Sequence, residues 1–118
     1  TDLLILSSDK KDGWGVVINE ALLTGVPVLC SNNCGASTLI KKEYLGSVFQ
    51  FDNLDELQYQ IELRIKSGKI NSNDRDKISS WAKENISCNS AKQYFDYITS
   101  FVNGETEIKP LPPWHKIE

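Results

Sequence analysis

An α/β fold, a parallel sheet with helices on both faces, follows from three features of this 118-residue sequence. Short apolar runs of strand type alternate with segments whose apolar residues recur every three or four positions. The runs show no polar alternation, as in strands buried on both faces. Strand–helix–strand order then joins parallel strands by right-handed crossovers, with helices covering the sheet. Three strands are expected, half the number in a doubly wound domain.

The first run, DLLILSS at 2–8, reads as a buried strand closed by small polar residues. Gly13-Trp14-Gly15 forms a turn. The spacing of Val17, Ala21 and Leu22 predicts a helix over 16–24, with Gly25 just past its end. VPVLCSN at 26–32 is the second strand, Pro27 being tolerated near its start. CGASTLI at 34–40 reads as a glycine turn and a short helix, and SVFQF at 47–51 as the third strand. Asp52 or Asn53 is placed to cap a helix bearing Leu54, Leu57, Ile61 and Ile65. Residues 66–74 read as polar loop. Ile78, Trp81, Ala82 and Ile86 mark another helix, and Ala91, Tyr94, Phe95, Ile98, Phe101 and Val102 the last. The main domain is expected to span 1–103, with a Pro-rich irregular tail at 104–118.

Composition is that of an ordinary globular chain, 40% hydrophobic and 25% charged, with a net charge of −3 and no basic stripe. Nucleic acid is not an expected partner. A local anion site stands apart from net charge, because backbone N–H groups bind phosphate. Cys30, Cys34 and Cys88 fit no disulfide framework and read as reduced thiols. With His115 they number four possible metal ligands, but C-x3-C lacks the usual knuckle spacing, and no metal is expected. No signal peptide or bilayer-spanning stretch is visible, and a cytoplasmic location is expected. The start at Thr1, directly before a strand, reads as a cut inside a larger protein. Apolar surface exposed by such a cut gives the fragment a capacity to dimerise.

Chemistry concentrates at residues 12–20. Gly13 and Gly15 allow close backbone approach, and a helix opening near Val16 presents unpaired N–H groups and a positive dipole end to a diphosphate. Asp12 and Glu20 stand eight positions apart, about 12 Å were the whole stretch helical. Carboxylates accept hydrogen bonds from vicinal sugar hydroxyls. A nucleotide-sugar, with a sugar at each end of a diphosphate, satisfies both acids and the N–H groups. On spacing alone the alternatives stay open: many such turns bind nothing, and Glu20 suits a solvated helix position.

The run DGWGVVINEALLTGVPVLCSNNCGASTLI at 12–40 resembles the retaining GT-B glycosyltransferases of the E-x7-E family, which includes sucrose synthases and bacterial mannosyltransferases. Asp12-x7-Glu20, Gly15, Ala21, Gly25, Pro27 and Val28 occupy the corresponding motif positions. GSVFQFDNLDEL at 46–57 and SWAKENISCNSAKQYFDYI at 80–98 are similar to the family's final strand and closing helices, extending the resemblance over 1–103. It implies the C-terminal part of a Rossmann-like GT-B domain. It also implies a catalytic role for Asp12 on the transferred sugar, and ribose binding by Glu20. Gly13, Trp14, Gly15 and Val16 complete the implied donor-binding set. The implied transfer is metal-independent and needs no cofactor, with the donor phosphate helping to deprotonate the acceptor.

Asp12 is one methylene shorter than the family's usual Glu. Trp14 replaces Phe and brings an indole N–H near the ligand, and Cys34-Gly35 stands where Gly-Gly is usual. Lys10 and Lys11 read as a solvated pair. The acceptor-binding N-terminal domain, for a carbohydrate or lipid-linked acceptor, is not in this sequence. The expected function is thus the donor half of a glycosyltransferase of cell-surface polysaccharide synthesis. The full-length protein is expected to be cytoplasmic or peripheral at the inner membrane face, and the fragment alone inactive. The alternatives are a non-catalytic nucleotide-binding or interaction module and, more remotely, a sugar-nucleotide epimerase.

Overall fold

A computed structural model describes residues 1–9 and 13–115. The chain forms two compact units, Thr1–Ser80 and Trp81–Glu118. In the first, strands β1 (Leu4–Leu6), β2 (Val28–Ser31) and β3 (Gly46–Phe49) make a parallel sheet in the order β1-β2-β3. Leu6 is level with Cys30, and Cys30 with Val48, so the carboxyl ends of all three strands finish on one rim.

Every residue of β2 is buried. Successive side chains of a strand point to opposite faces, so both faces of the sheet are covered at its centre. Helix α1 (Val16–Leu23) packs on β1 and β2, burying Ile18 and Leu22. Its end is set by Thr24, whose hydroxyl donates to the Glu20 and Ala21 carbonyls, and by Gly25. Leu39 and Leu45, from 3₁₀ turns at Gly35–Leu39 and Glu43–Leu45, join Phe49 and Ile78 in the core. The strands are shorter than the apolar runs suggest. Phe51, expected within the third strand, lies beyond it and is exposed.

Helix α2 (Leu54–Ser67) packs on β3 and is capped by Asn53, whose side chain accepts from the Glu56 N–H. Asp52, the other candidate cap, instead adopts a left-handed backbone with φ 64°. No residue of α2 is fully buried: Leu57 and Ile61 are half-buried, while Leu54 and Ile65 of the predicted stripe are exposed. Length explains this. Leu54 and Ile65 lie about 16 Å apart along a helix, whereas the four residues of β3 span about 10 Å. The stripe overhangs the strand it packs on.

The expected polar loop at 66–74 shrinks to 68–71, because α2 continues to Ser67 and helix α3 (Ser72–Asn85) starts early. Asn71 accepts from the Asp74 N–H at 2.9 Å and donates to the Asp74 carboxylate at 2.8 Å. The polar run is therefore a helix start rather than a loop. In the second unit, helix α4 (Cys88–Val102) is capped by Ser87. The tail beyond it is mostly irregular but contains a 3₁₀ turn, Pro113–His115, packed against α4.

Gly25 has φ +78°, and a β-carbon on it would lie 2.6 Å from the backbone oxygen of Arg75. Both the conformation and the space require glycine. Gly25→Ala is expected to cost about 2 kcal/mol of stability, measured as the shift in the urea unfolding midpoint.

Candidate functional site

The turns that follow the three strands meet on the carboxyl rim. The first approaches α1 through Gly13, Trp14 and Gly15, and the second is tied directly to it. The Gly35 N–H donates to the Gly13 carbonyl at 2.9 Å, and the Ala36 N–H to the Trp14 carbonyl at 2.8 Å. The Cys34 thiol adds a second bond to the Trp14 carbonyl at 3.0 Å. Gly35 permits this approach: a β-carbon there would lie 3.1 Å from Trp14 Cε3 and 3.2 Å from the Gly13 oxygen. Gly15 is left-handed at φ +82°, and a β-carbon on it would be only 2.5 Å from Cys34 Sγ.

Gly15 is also the residue before α1, so no side chain caps the helix there. The Ile18 N–H returns to the Gly15 carbonyl at 3.0 Å. The Gly15 N–H closes the turn at Gly13–Trp14, while those of Val16 and Val17 have no acceptor among the described residues. These two form an open donor pair at the positive end of the helix. Val16, Val17 and Glu20 are all exposed, and three- and four-residue spacing puts them on one face of α1. The Glu20 carboxylate therefore starts from a position about 6 Å along the axis from Val16. Asp12, with Lys10 and Lys11, lies outside the described residues.

Trp14 departs from its expected part. Its indole Nε1 donates to Asn19 Oδ1 at 2.9 Å, so this N–H is spent within the turn and the first helical residues rather than offered to a ligand.

Residues that sequence reasoning missed complete the rim. The Asn32 N–H donates to the Phe49 carbonyl at 2.9 Å and its side-chain amide donates to Gln50 Oε1 at 2.8 Å. Asn32 Oδ1 accepts from the Phe51 N–H at 2.7 Å, and the Gln50 N–H donates to Glu56 Oε2 at 2.9 Å. Asn32 thereby joins the second turn to the third. Its only sequence signal is an Asn pair directly after a strand, which marks a turn without saying what the turn bonds to. Ser8, just past β1, is buried with a hydroxyl that has no hydrogen-bond partner among the described residues.

Beneath the rim, Cys30 is fully buried on β2. Burial, and secondarily the neighbouring Cys34, pushes its thiol from 9.0 up to about 12. It is a neutral packing group rather than a nucleophile. Among the described residues, no group of three or more His, Cys, Asp or Glu side chains is arranged to hold a metal ion. Nor is any described helix long and apolar enough to cross a membrane.

A parallel sheet buried on both faces, with its loops gathered on the carboxyl rim, defines a Rossmann-like α/β protein. The chain belongs to the family described as glycosyl transferases group 1, whose profile matches residues 1–85. The match takes in all three strands and α1 to α3 and stops short of α4, narrower than the 1–103 span of the sequence resemblance. No curated protein and no solved structure matches the chain significantly.

The folded state holds the Cys30 proton more tightly than the unfolded chain does. Between pH 9 and about 12 the unfolded state therefore binds fewer protons, and this contribution to stability falls as pH rises. Thermal unfolding followed by circular dichroism should show a steeper loss of Tm above pH 9 in the native chain than in Cys30→Ala. Parallel curves would contradict the assignment.

Proposed function

We propose that this chain is the donor-binding part of a glycosyltransferase that moves a sugar from a nucleotide-sugar to an acceptor with retention at the anomeric carbon. Membership in the glycosyl transferases group 1 family supports glycosyl transfer as the chemistry. The observation that carries the donor assignment is the pair of N–H groups from Val16 and Val17, without an acceptor among the described residues and one helical turn from Glu20. Two donors at a helix start suit a diphosphate, and a carboxylate one turn along suits the ribose hydroxyls.

In this reading Asp12 accepts from hydroxyls of the transferred sugar and Glu20 from the ribose. The backbone of Gly13, Trp14, Gly15 and Val16 surrounds the phosphates, and Trp14 contributes through its main chain rather than its indole. The acceptor oxygen bonds to the anomeric carbon on the face from which the diphosphate departs. Its proton passes to a donor phosphate oxygen, and no protein nucleophile, metal or cofactor takes part. A further N-terminal domain supplies the acceptor site for a carbohydrate or lipid-linked acceptor, and the two domains orient the reactants across a cleft. The setting is cell-surface polysaccharide synthesis, in the cytoplasm or at the inner membrane face. Separated from that domain, the chain self-associates through its exposed apolar surface.

Three measurements test this. Calorimetric titration with uridine, guanosine and adenosine diphosphates should give binding to at least one, and Glu20→Ala should weaken it by about 1–3 kcal/mol, the range for a charged hydrogen bond. Unchanged affinity would remove Glu20 from the ribose site. In the two-domain enzyme Asp12→Ala should lower kcat more than it raises KM, because sugar contacts count most as positive charge develops at the anomeric carbon. The 118-residue chain alone should transfer no sugar from any nucleotide-sugar, and measurable turnover by it would contradict the division of the site between two domains.

A further inference from the structure

We infer that a groove at the amino ends of the strands, opposite the rim that carries the proposed donor site, binds an aliphatic carboxylate. The guanidinium of Arg64 takes the head group and the overhanging end of α2 takes the chain. The groove shares no residue with the donor site.

The groove follows from the length mismatch between α2 and β3. Helix α2 runs back from the carboxyl rim and outlasts the strand it packs on, so its last turns stand over the starts of the strands. Leu3 and Pro27, which precede β1 and β2, line the groove with Tyr44 from the turn before β3. Ile61 and Ile65 of α2 and Ile70 of the following turn supply aliphatic surface, and Ile65 is 72% exposed. The volume is about 700 Å³, within the range of small-molecule sites.

Charge selects the head group. Arg64 lies in the last turn of α2 and is half-buried in this groove. Its guanidinium carries several N–H donors in a fixed fork. Among the described residues it makes one hydrogen bond, a long one of 3.4 Å from Nη2 to the Glu43 carbonyl, and no ion pair. A half-buried cation in that state gains from an anion. Neighbouring groups are engaged elsewhere. Asp2 pairs with Arg75 at 3.1 Å, the Asp74 carboxylate accepts from the Asn71 amide at 2.8 Å, and the Lys77 ammonium lies 4.3 Å from the centre of the Tyr44 ring. Lys69 and Lys77 are exposed, and with Arg64 they set three cations against Glu43 and Asp74. A planar carboxylate accepts two parallel bonds from one guanidinium. Its single charge suits this balance better than the double charge of a phosphate ester.

Calorimetric titration of the full chain with octanoate, acetate, octyl phosphate and octan-1-ol reads head and chain separately. Octanoate should bind about tenfold more tightly than acetate, which lacks the chain, and than octanol, which lacks the charge. Arg64→Gln should weaken octanoate about tenfold, within the range for a charged hydrogen bond, and leave octanol unchanged. A merely structural role would weaken both. Ile65→Ser, at an exposed position, should weaken octanoate about threefold and acetate not at all. In NMR spectra of the native chain the amides of residues 64–70 should move with octanoate, while those of Gly13–Val17 stay fixed. Equal binding of octanoate by the native chain and Arg64→Gln would overturn the site, and tighter binding of octyl phosphate would overturn the carboxylate. Shifts confined to the exposed apolar residues of α4 would also overturn the site, without any variant having to fold. Neither result bears on nucleoside diphosphate binding at the other rim.

Discussion

Register across the three strands is the constraint from which the rest of the first unit follows. Leu6, Cys30 and Val48 lie level, so the chain leaves all three strands on the same rim. Because β2 is buried along its whole length, a slip of one residue would send each of its side chains to the opposite face of a core already filled. Phe49 shows how the register reaches the turns. It is the last residue of β3, and its carbonyl takes the N–H of Asn32, the first residue after β2. The turn at Asn32 then fixes where Cys34 and Gly35 meet the first turn. Strand register is in this way converted, through main-chain bonds, into the position of the donor groups at the start of α1.

What was legible in the sequence is what depends on local period and local chemistry. The helix expected at 16–24 with its stop at Gly25 matched α1 to within a residue, because period and stop signal lie within one short window, although the buried pair is Ile18 and Leu22 and Val17 of the expected stripe is exposed. The glycine turn before it was legible for the same reason, as were Glu20 and Val16 as groups near a helix start. The ties that hold this turn were not. Cys34 bonds to a carbonyl 20 residues away and Asn32 to an amide 19 residues away, and neither partner leaves a mark near its own position. Trp14 was misread for a related reason: its indole N–H was assigned outward, although Asn19, five residues on, was near enough to take it.

Two misses in the fold have different origins. Periodicity reports which side of α2 is apolar but not how much sheet lies beneath it, so Leu54 and Ile65 look like core in sequence and stand exposed in the structure. At 66–74 the polarity was read correctly and its meaning was not. Asn, Asp and Ser open helices as readily as they form loops, and the Asn71–Asp74 exchange makes the difference.

Gly35 and Trp14 also bear on how this rim can change over time. The glycine leaves only enough room for the indole edge, and that edge is anchored at its far side by Asn19. Residues 14, 19 and 35 therefore form one unit of variation, although they belong to a turn, a helix and a separate 3₁₀ segment. A smaller aromatic ring at 14 would relieve one of the close contacts at 35, the backbone of Gly13 and Trp14 keeping the others, and would strand the amide of 19, so substitutions at these positions should be non-additive. In descendants of this sequence, the residue at 19 carries information about the ring at 14 before either is seen in a structure.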